Sequence, residues 1–328
     1  MRYLALTLCV LAVVLVAAAV WLWQDRANIA DLDWPIADTT VEPGDAVTVT
    51  WLGVTTLLFD DNETQVLIDG FFTRTNVLDM IFGELSTDIA TVNYVMSEFR
   101  INRLAAIVPV HSHFDHAMDA GFVANRSSAV VLGSESTANI VRGAQLPVHQ
   151  YQILADGESR QFGNFTITLI VSRHAPMAVG EKPWYPGAIS EPLRQPARIG
   201  EWKEGLSYSV IISHPRGTTA VQGSAGFRPG MLADVKADVV MLGIDGLSGL
   251  GRSYAGRYWT QTVAMTGASR VYPIHYDDLT KPLGEIELFP TIADDAVSAA
   301  SWINEFAESG DSPIDVRRLP FGKRVLLY

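Results

Sequence analysis

At 328 residues, 48% hydrophobic and 18% charged, the chain is long and apolar enough to bury a sizeable core, and its composition is not that of a disordered polymer. A net charge of −12 with no basic cluster speaks against nucleic acid as a partner, and a single cysteine, Cys9, excludes an internal disulfide framework.

The first element is LALTLCVLAVVLVAAAVWLW, Leu4 to Trp23, which carries no charge and is flanked by Arg2 and by Gln24-Asp25-Arg26. As a helix it spans roughly 30 Å, the thickness of bilayer hydrocarbon. Trp21 and Trp23 stand where an interfacial aromatic anchor belongs. The pattern predicts an uncleaved membrane anchor over residues 1–26; the competing expectation is a signal segment cleaved near Ala17-Ala18-Ala19, leaving a secreted protein. Either places the remainder outside the cytoplasm, on the periplasmic side. Cys9 is not a lipid-attachment site, because bulky Leu8 precedes it after too little apolar sequence.

Residues 27–45 are polar, with Pro and Gly, and read as a linker into a domain over 46–328. Strands are expected at Val47–Leu52, Thr55–Asp60 and Gln65–Asp69, a helix at Asp88–Phe99, and a strand covered on both faces at Leu104–Val110. Further strands are expected at Ala129–Leu132, His149–Leu154, Phe165–Val171, Ser207–Ser213, Thr218–Gln222, Val239–Ile244 and Arg270–Ile274. Helices are expected at Asp115–Ala124, Glu135–Arg142, near Tyr254–Thr266 and at Asp294–Glu308. Strands grouped early with β–α alternation later predict sheets covered by helices in one domain. Residues 175–205 carry five prolines with Trp184, Tyr185 and Trp202 and no periodicity. Such a stretch is a lid or binding loop, or a surface excursion packed by its own aromatics.

Chemistry concentrates in residues 111–116, HSHFDH, directly after the buried run. In extended chain His111 and His113 face the same side and can share one ion. A turn into helix puts Asp115 and His116 where they can face a second. Imidazole and carboxylate donors suit zinc, with iron or manganese less favoured. His174 and His275 also end apolar strands, and functional side chains sit at strand ends in α/β sheets. His214 ends a strand too, but Pro215-Arg216-Gly217 turns the chain straight back, which puts it at the opposite end of a hairpin from Ser224. His149 begins a strand. Both are read as structural.

HxHxDH after a strand, a later strand-end histidine, a Gly-x turn and a final strand-end histidine together resemble the metallo-β-lactamase superfamily, over about residues 45–328. WLGVTTLLF followed by VLIDG is similar to that family's opening strands, with Asp69 as its structural aspartate. The resemblance implies a four-layer αβ/βα sandwich with metals at one edge. It implies that His111, His113 and His174 bind one zinc ion, and that Asp115, His116 and His275 bind a second. The chain departs from the pattern at AVQGSAGF, where Ser224 stands in place of the usual bridging aspartate; its hydroxyl can position water. Asp245, after VVMLGI, offers an alternative carboxylate.

The implied activity is hydrolysis by metal-activated water, with Asp115 orienting the nucleophile and relaying its proton. The opening strands look most like the branch with the ascorbate-phosphate lactonase and the N-acylphosphatidylethanolamine phospholipase D, so ester, lactone and phosphodiester bonds of a small-molecule or lipid substrate are the expected targets. A β-lactam hydrolase is a further alternative. From a different class, a non-catalytic zinc-binding envelope scaffold would account for the serine.

Overall fold

The computed structural model describes residues 2–40, 47–177, 182–310 and 312–328. Residues 41–45 of the expected linker and 178–181 of the proline-rich segment lie outside the described residues. The first half of the chain supplies β1 (Thr48–Trp51), β2 (Leu57–Asp60), β3 (Gln65–Ile68), β4 (Leu104–Val108), β5 (Val130–Gly133) and β6 (Tyr151–Ile153). The second supplies β7 (Glu158–Phe162), β8 (Phe165–Val171), β9 (Tyr208–His214), β10 (Gly217–Gln222), β11 (Val239–Gly243), β12 (Arg270–Ile274) and β13 (Asp315–Val316), with β14 (Arg324–Leu326) last.

They make two seven-stranded sheets, ordered β14-β1-β2-β3-β4-β5-β6 and β13-β12-β11-β10-β9-β8-β7. In each sheet an antiparallel set (β14 to β3; β7 to β10) is continued by three parallel strands (β4–β6; β11–β13). The last antiparallel strand leads into Asp69 in one half and Ser224 in the other. The parallel strand beside it leads into the HSHFDH segment and into Asp245 respectively.

Period-two alternation sorts the side chains. Leu57, Phe59, Val66, Ile68, Ala106 and Val108 point inward and join Phe165, Ile167, Val210 and Ile212 of the second sheet in one core. Leu58, Leu67, Ile107 and Val131 point outward, under helices.

The helices are α1 (Arg2–Gln24), α2 (Val77–Phe82), α3 (Ile89–Glu98), α4 (Phe114–Ala117), α5 (Ala120–Ser127), α6 (Glu135–Gly143), α7 (Leu247–Leu250), α8 (Arg252–Thr262) and α9 (Ala296–Glu308). Val92 and Val95 of α3, Val123 of α5 and Val141 of α6 cover the first sheet, whereas Tyr258 of α8 and Ile303 of α9 cover the second. Burial of each such side chain contributes about 1.5–3 kcal/mol. α1 is the one helix among the described residues long and apolar enough to cross a membrane, and its span Leu6–Gln24 is 0% buried.

Several elements differ from expectation for physical reasons. The helix expected over Asp115–Ala124 is two, α4 and α5, broken beside Asp119. That buried carboxylate accepts hydrogen bonds from Phe72 N–H and Thr73 N–H at 2.8 and 2.7 Å, fixing the loop after β3. His149 lies in a 3-10 turn (Val148–Gln150), and its strand starts at Tyr151. α2 buries none of its side chains, so it lacks the periodicity that marks a packed helix. β7, ESRQF, is a polar edge strand without an apolar face.

Candidate metal centre

His111 and His113 leave β4 on an irregular turn, and His113 is the residue before the first turn of α4, with φ −66° and ψ 159°. Asp115 and His116 follow inside that turn. His174 comes three residues after β8, and His275 follows β12 directly. The six side chains fall into two groups, His111/His113/His174 and Asp115/His116/His275, in each of which the donor atoms all lie within 4.8 Å of one another. All are buried except His174, which is half-buried.

Backbone strain gathers at the same sheet edge. Val54, Asp69 and His275 adopt left-handed conformations, with φ of 50°, 58° and 57°. Such conformations cost roughly 1–3 kcal/mol each in non-glycine residues and persist where surrounding contacts over-determine them. Those contacts are visible: His275 N–H donates to Val54 O at 3.0 Å, and Val54 N–H donates to Asp277 Oδ1 at 2.8 Å.

A set of outer partners orients three of the rings. His116 Nδ1 donates to Asp69 Oδ2 at 2.6 Å, and Asp69 Oδ1 accepts from Val110 N–H at 2.8 Å. A proton on His113 Nε2 donates to the Trp184 carbonyl at 3.0 Å, and one on His174 Nδ1 donates to the Ala175 carbonyl at 2.7 Å. Each bond places a ring proton outward and turns the other nitrogen towards the centre, the usual orientation of metal-binding imidazoles.

Electrostatics separates the two groups. Burial pushes His111 well below the ordinary histidine value and His113 down to about 3, with neighbouring imidazoles adding to the effect. His174 is lowered by burial too. This trio is neutral and ligand-ready at neutral pH. In the other group burial opposes charge on His116, but the carboxylates of Asp115 and Asp69 prevail and raise it to about 10. Asp115 Oδ2 lies 3.3 Å from His116 Nε2 and 3.5 Å from His275 Nε2. His111 Nε2 and His113 Nδ1 face each other at 2.9 Å, so a proton or a cation must lie between these lone pairs. The donor set therefore fits metal ions: a neutral trio beside a trio whose carboxylate calls for positive charge.

Ser224 is buried and lines the cavity, and its hydroxyl oxygen accepts from Ala175 N–H at 2.9 Å. It thus holds the chain beside His174. Gly226 explains the glycine-rich turn that follows: a Cβ there would lie 2.2 Å from Arg173 O and 2.4 Å from His174 C. Asp245 lines the cavity beside His275, and burial raises its pKa. Asp294, which the sequence did not single out, is pushed up to about 7 by burial and by Asp245, while accepting from Ser248 Oγ at 2.7 Å. His214 is remote, as expected: it pairs with Gly217 at the far end of β9–β10, with Nε2 3.5 Å from Asp61 Oδ2.

A cavity of about 510 Å³ opens over the metal-site residues, walled by Val77, Met80 and Ile81, by Trp184 and Tyr185, and by Leu279 and Phe289. The proline-rich segment is partly packed by its own residues, with Ile189, Ala197 and Trp202 buried against Val54, Phe71 and Phe114. It also forms one wall of the site.

No protein-family model and no curated relative matches the sequence. Solved structures do. Igni18, a metallo-hydrolase from Ignicoccus hospitalis, aligns over 86% of this chain and 99% of its own at 15% identity, with a TM-score of 0.50. A possible metal-dependent hydrolase from Veillonella parvula aligns over 86% and 100% at 14% identity, with a TM-score of 0.51. The chain has the metallo-β-lactamase fold. The metallo-β-lactamase fold here carries its histidine-rich cluster at the sheet edge, as the resemblance implied. CmlA, a diiron β-hydroxylase from Streptomyces venezuelae, aligns over 88% of this chain and 55% of its own at 12% identity, with a TM-score of 0.52.

Proposed function

We propose that the chain is a hydrolase dependent on two zinc ions that adds water across an ester, lactone or phosphodiester bond of a small-molecule or lipid substrate. The observation that carries this reading is the pairing of two three-donor groups at the floor of one apolar-walled cavity. His111, His113 and His174 would hold one ion, and Asp115, His116 and His275 the other. Ions there would supply an acidified water and polarise the oxygen of the scissile group.

The remaining work falls to the chain. Asp115, at hydrogen-bond range of two imidazoles, is placed to accept the proton of the attacking water and pass it to the leaving group. Asp69 holds the His116 ring. Ser224 accepts from Ala175 N–H, which leaves its own hydroxyl proton available to orient water in the cavity. The apolar walls exclude bulk water and receive the uncharged part of the substrate. Histidine-rich ligation favours zinc, and iron is the comparison metal because one structural neighbour is a diiron enzyme. α1 is read as a membrane anchor and residues 46–328 as an extracytoplasmic, periplasmic-side hydrolase domain.

The test is a panel of phosphodiester, ester, lactone and β-lactam substrates given to the purified full-length protein with zinc or iron added. Turnover of one of the first three, strongest with zinc, is expected. Two equivalents of zinc bound without turnover of any substrate would sink the hydrolase and support a scaffold role.

A further inference from the structure

The end of α1 is held at the rim of the cavity. Arg26 Nη1 donates to Asp278 Oδ2 and to the Leu288 carbonyl, both at 2.6 Å, and Thr291 N–H donates to the Asp25 carbonyl at 2.9 Å. The Asp278 side chain is fully buried, so the tether is built into the body and is not a surface contact. Trp23, in the last turn of α1, lines the cavity together with Trp184. From Trp23 to Arg26 the chain advances only about 5 Å. If the apolar stretch of α1 lies in a bilayer, the cavity mouth therefore sits at the depth of the bilayer interface.

The rim is made for that depth. α2 exposes Leu78, Ile81 and Phe82 at 68%, 62% and 79%, with Ile292 exposed at 63% beside the tether. Apolar side chains this exposed, clustered round an opening, mark an interaction surface. The fixed position of a bare 19-residue apolar helix at the same opening says what covers them. We infer that the cavity mouth docks on the membrane that α1 enters, with Leu78, Ile81, Phe82 and Ile292 seated among the lipid chains, and that the substrate is an amphiphile whose apolar tail passes from the bilayer into the cavity past Trp23 and Trp184. The docking surface rests on this geometry and on reading α1 as a membrane span. The substrate class rests on the hydrolase reading above.

The two parts are tested separately on the full-length chain in phosphatidylcholine vesicles. In a Cys9→Ala background, an environment-sensitive dye is attached through Phe82→Cys, or through Ser309→Cys at the far end of α9. Quenching of the first dye by brominated lipid chains and of the second by aqueous iodide is expected. Equal access of iodide to both would overturn the docking surface, as would cross-linking through Phe82→Cys between copies with no quenching by lipid.

For substrate, each bond type is presented as a short-chain soluble and a long-chain vesicle-borne pair. The long-chain member should be turned over about tenfold faster or more. The triple variant Leu78→Ser/Phe82→Ser/Ile292→Ser, none of whose residues lines the cavity, should lose that preference and keep its rate on the soluble member. Equal rates on both members would overturn the amphiphile. Turnover of neither would overturn the hydrolase reading, and the dye result would still decide the docking surface.

Discussion

Asp69 Oδ2 and His116 Nδ1 lie 2.6 Å apart, both side chains almost wholly buried, and this contact ties the end of β3 to the first turn of α4. Burial raises the Asp69 pKa and the Asp115 carboxylate adds to the rise, while the His116 ring and the Val110 N–H work against it. The bond fixes which nitrogen of His116 faces the centre. Asp69→Asn should weaken binding of one of two zinc ions by about 10- to 100-fold, the usual cost of losing a carboxylate that orients a ligand. Competition with a chelator of known affinity measures it, and unchanged affinity for both ions would show that the contact is structural only.

Ser224 gives a different signature. Its hydroxyl is the acceptor for Ala175 N–H, so Ser224→Ala leaves a half-buried donor without a partner and costs about 1–3 kcal/mol of stability. Because Ala175 adjoins His174, affinity at the His111/His113/His174 group should fall as well. Ser224→Thr, which keeps the oxygen, should recover most of both losses. Thermal unfolding together with zinc titration of the two variants checks this.

At Gly226 space decides. An added methyl group would meet the backbone of Arg173 and His174 at well under van der Waals distance, and neither backbone can step aside without moving a metal-site residue. Gly226→Ala should destabilise the fold by about 1–3 kcal/mol or more and weaken metal binding, readable by denaturant unfolding with and without zinc. Unfolding that matches the unmodified chain in both conditions would contradict the close packing.

Far from the centre, Asp61 tests the hairpin end that holds His214. Burial raises its pKa, but hydrogen bonds from Thr64 N–H, Glu63 N–H and Asn164 outweigh it, and the net shift is downward. A carboxylate lowered on folding adds stability that is full above its unfolded value of about 3.9 and is lost as pH falls through the lower folded value. Asp61→Asn should therefore cost stability at pH 6 and progressively less below about pH 4, where the two unfolding curves converge. A constant difference across that range would refute the assignment.

The grouping of the six candidate donors was legible because residue type and position coincide: each follows an apolar run, and those runs end on the same side of the two sheets. His214 was separable by the same logic, since its turn reverses the chain at once. What the sequence could not disclose is carried by backbone and by unpatterned surface. The Trp184 carbonyl that orients His113 has no side-chain signature. α2 shows no clear periodicity because it is short and buries no side chain fully, with only Val77 and Met80 half-buried, and its exposed residues look like any short apolar run. Asp294 stands beside Asp245 only because α7 and the start of α9 bring residues about fifty positions apart together. The break between α4 and α5 depends on Asp119 reaching back to the loop after β3, a contact between distant segments that local spacing does not show.

The most direct test of the whole account is a zinc titration of the chelator-stripped full-length protein, with turnover of its best panel substrate followed at each addition. Activity absent at the start, rising with zinc and levelling at two equivalents is the predicted result, and His113→Ala should stay inactive throughout. Turnover that persists without metal, or that is undiminished in His113→Ala, would contradict it.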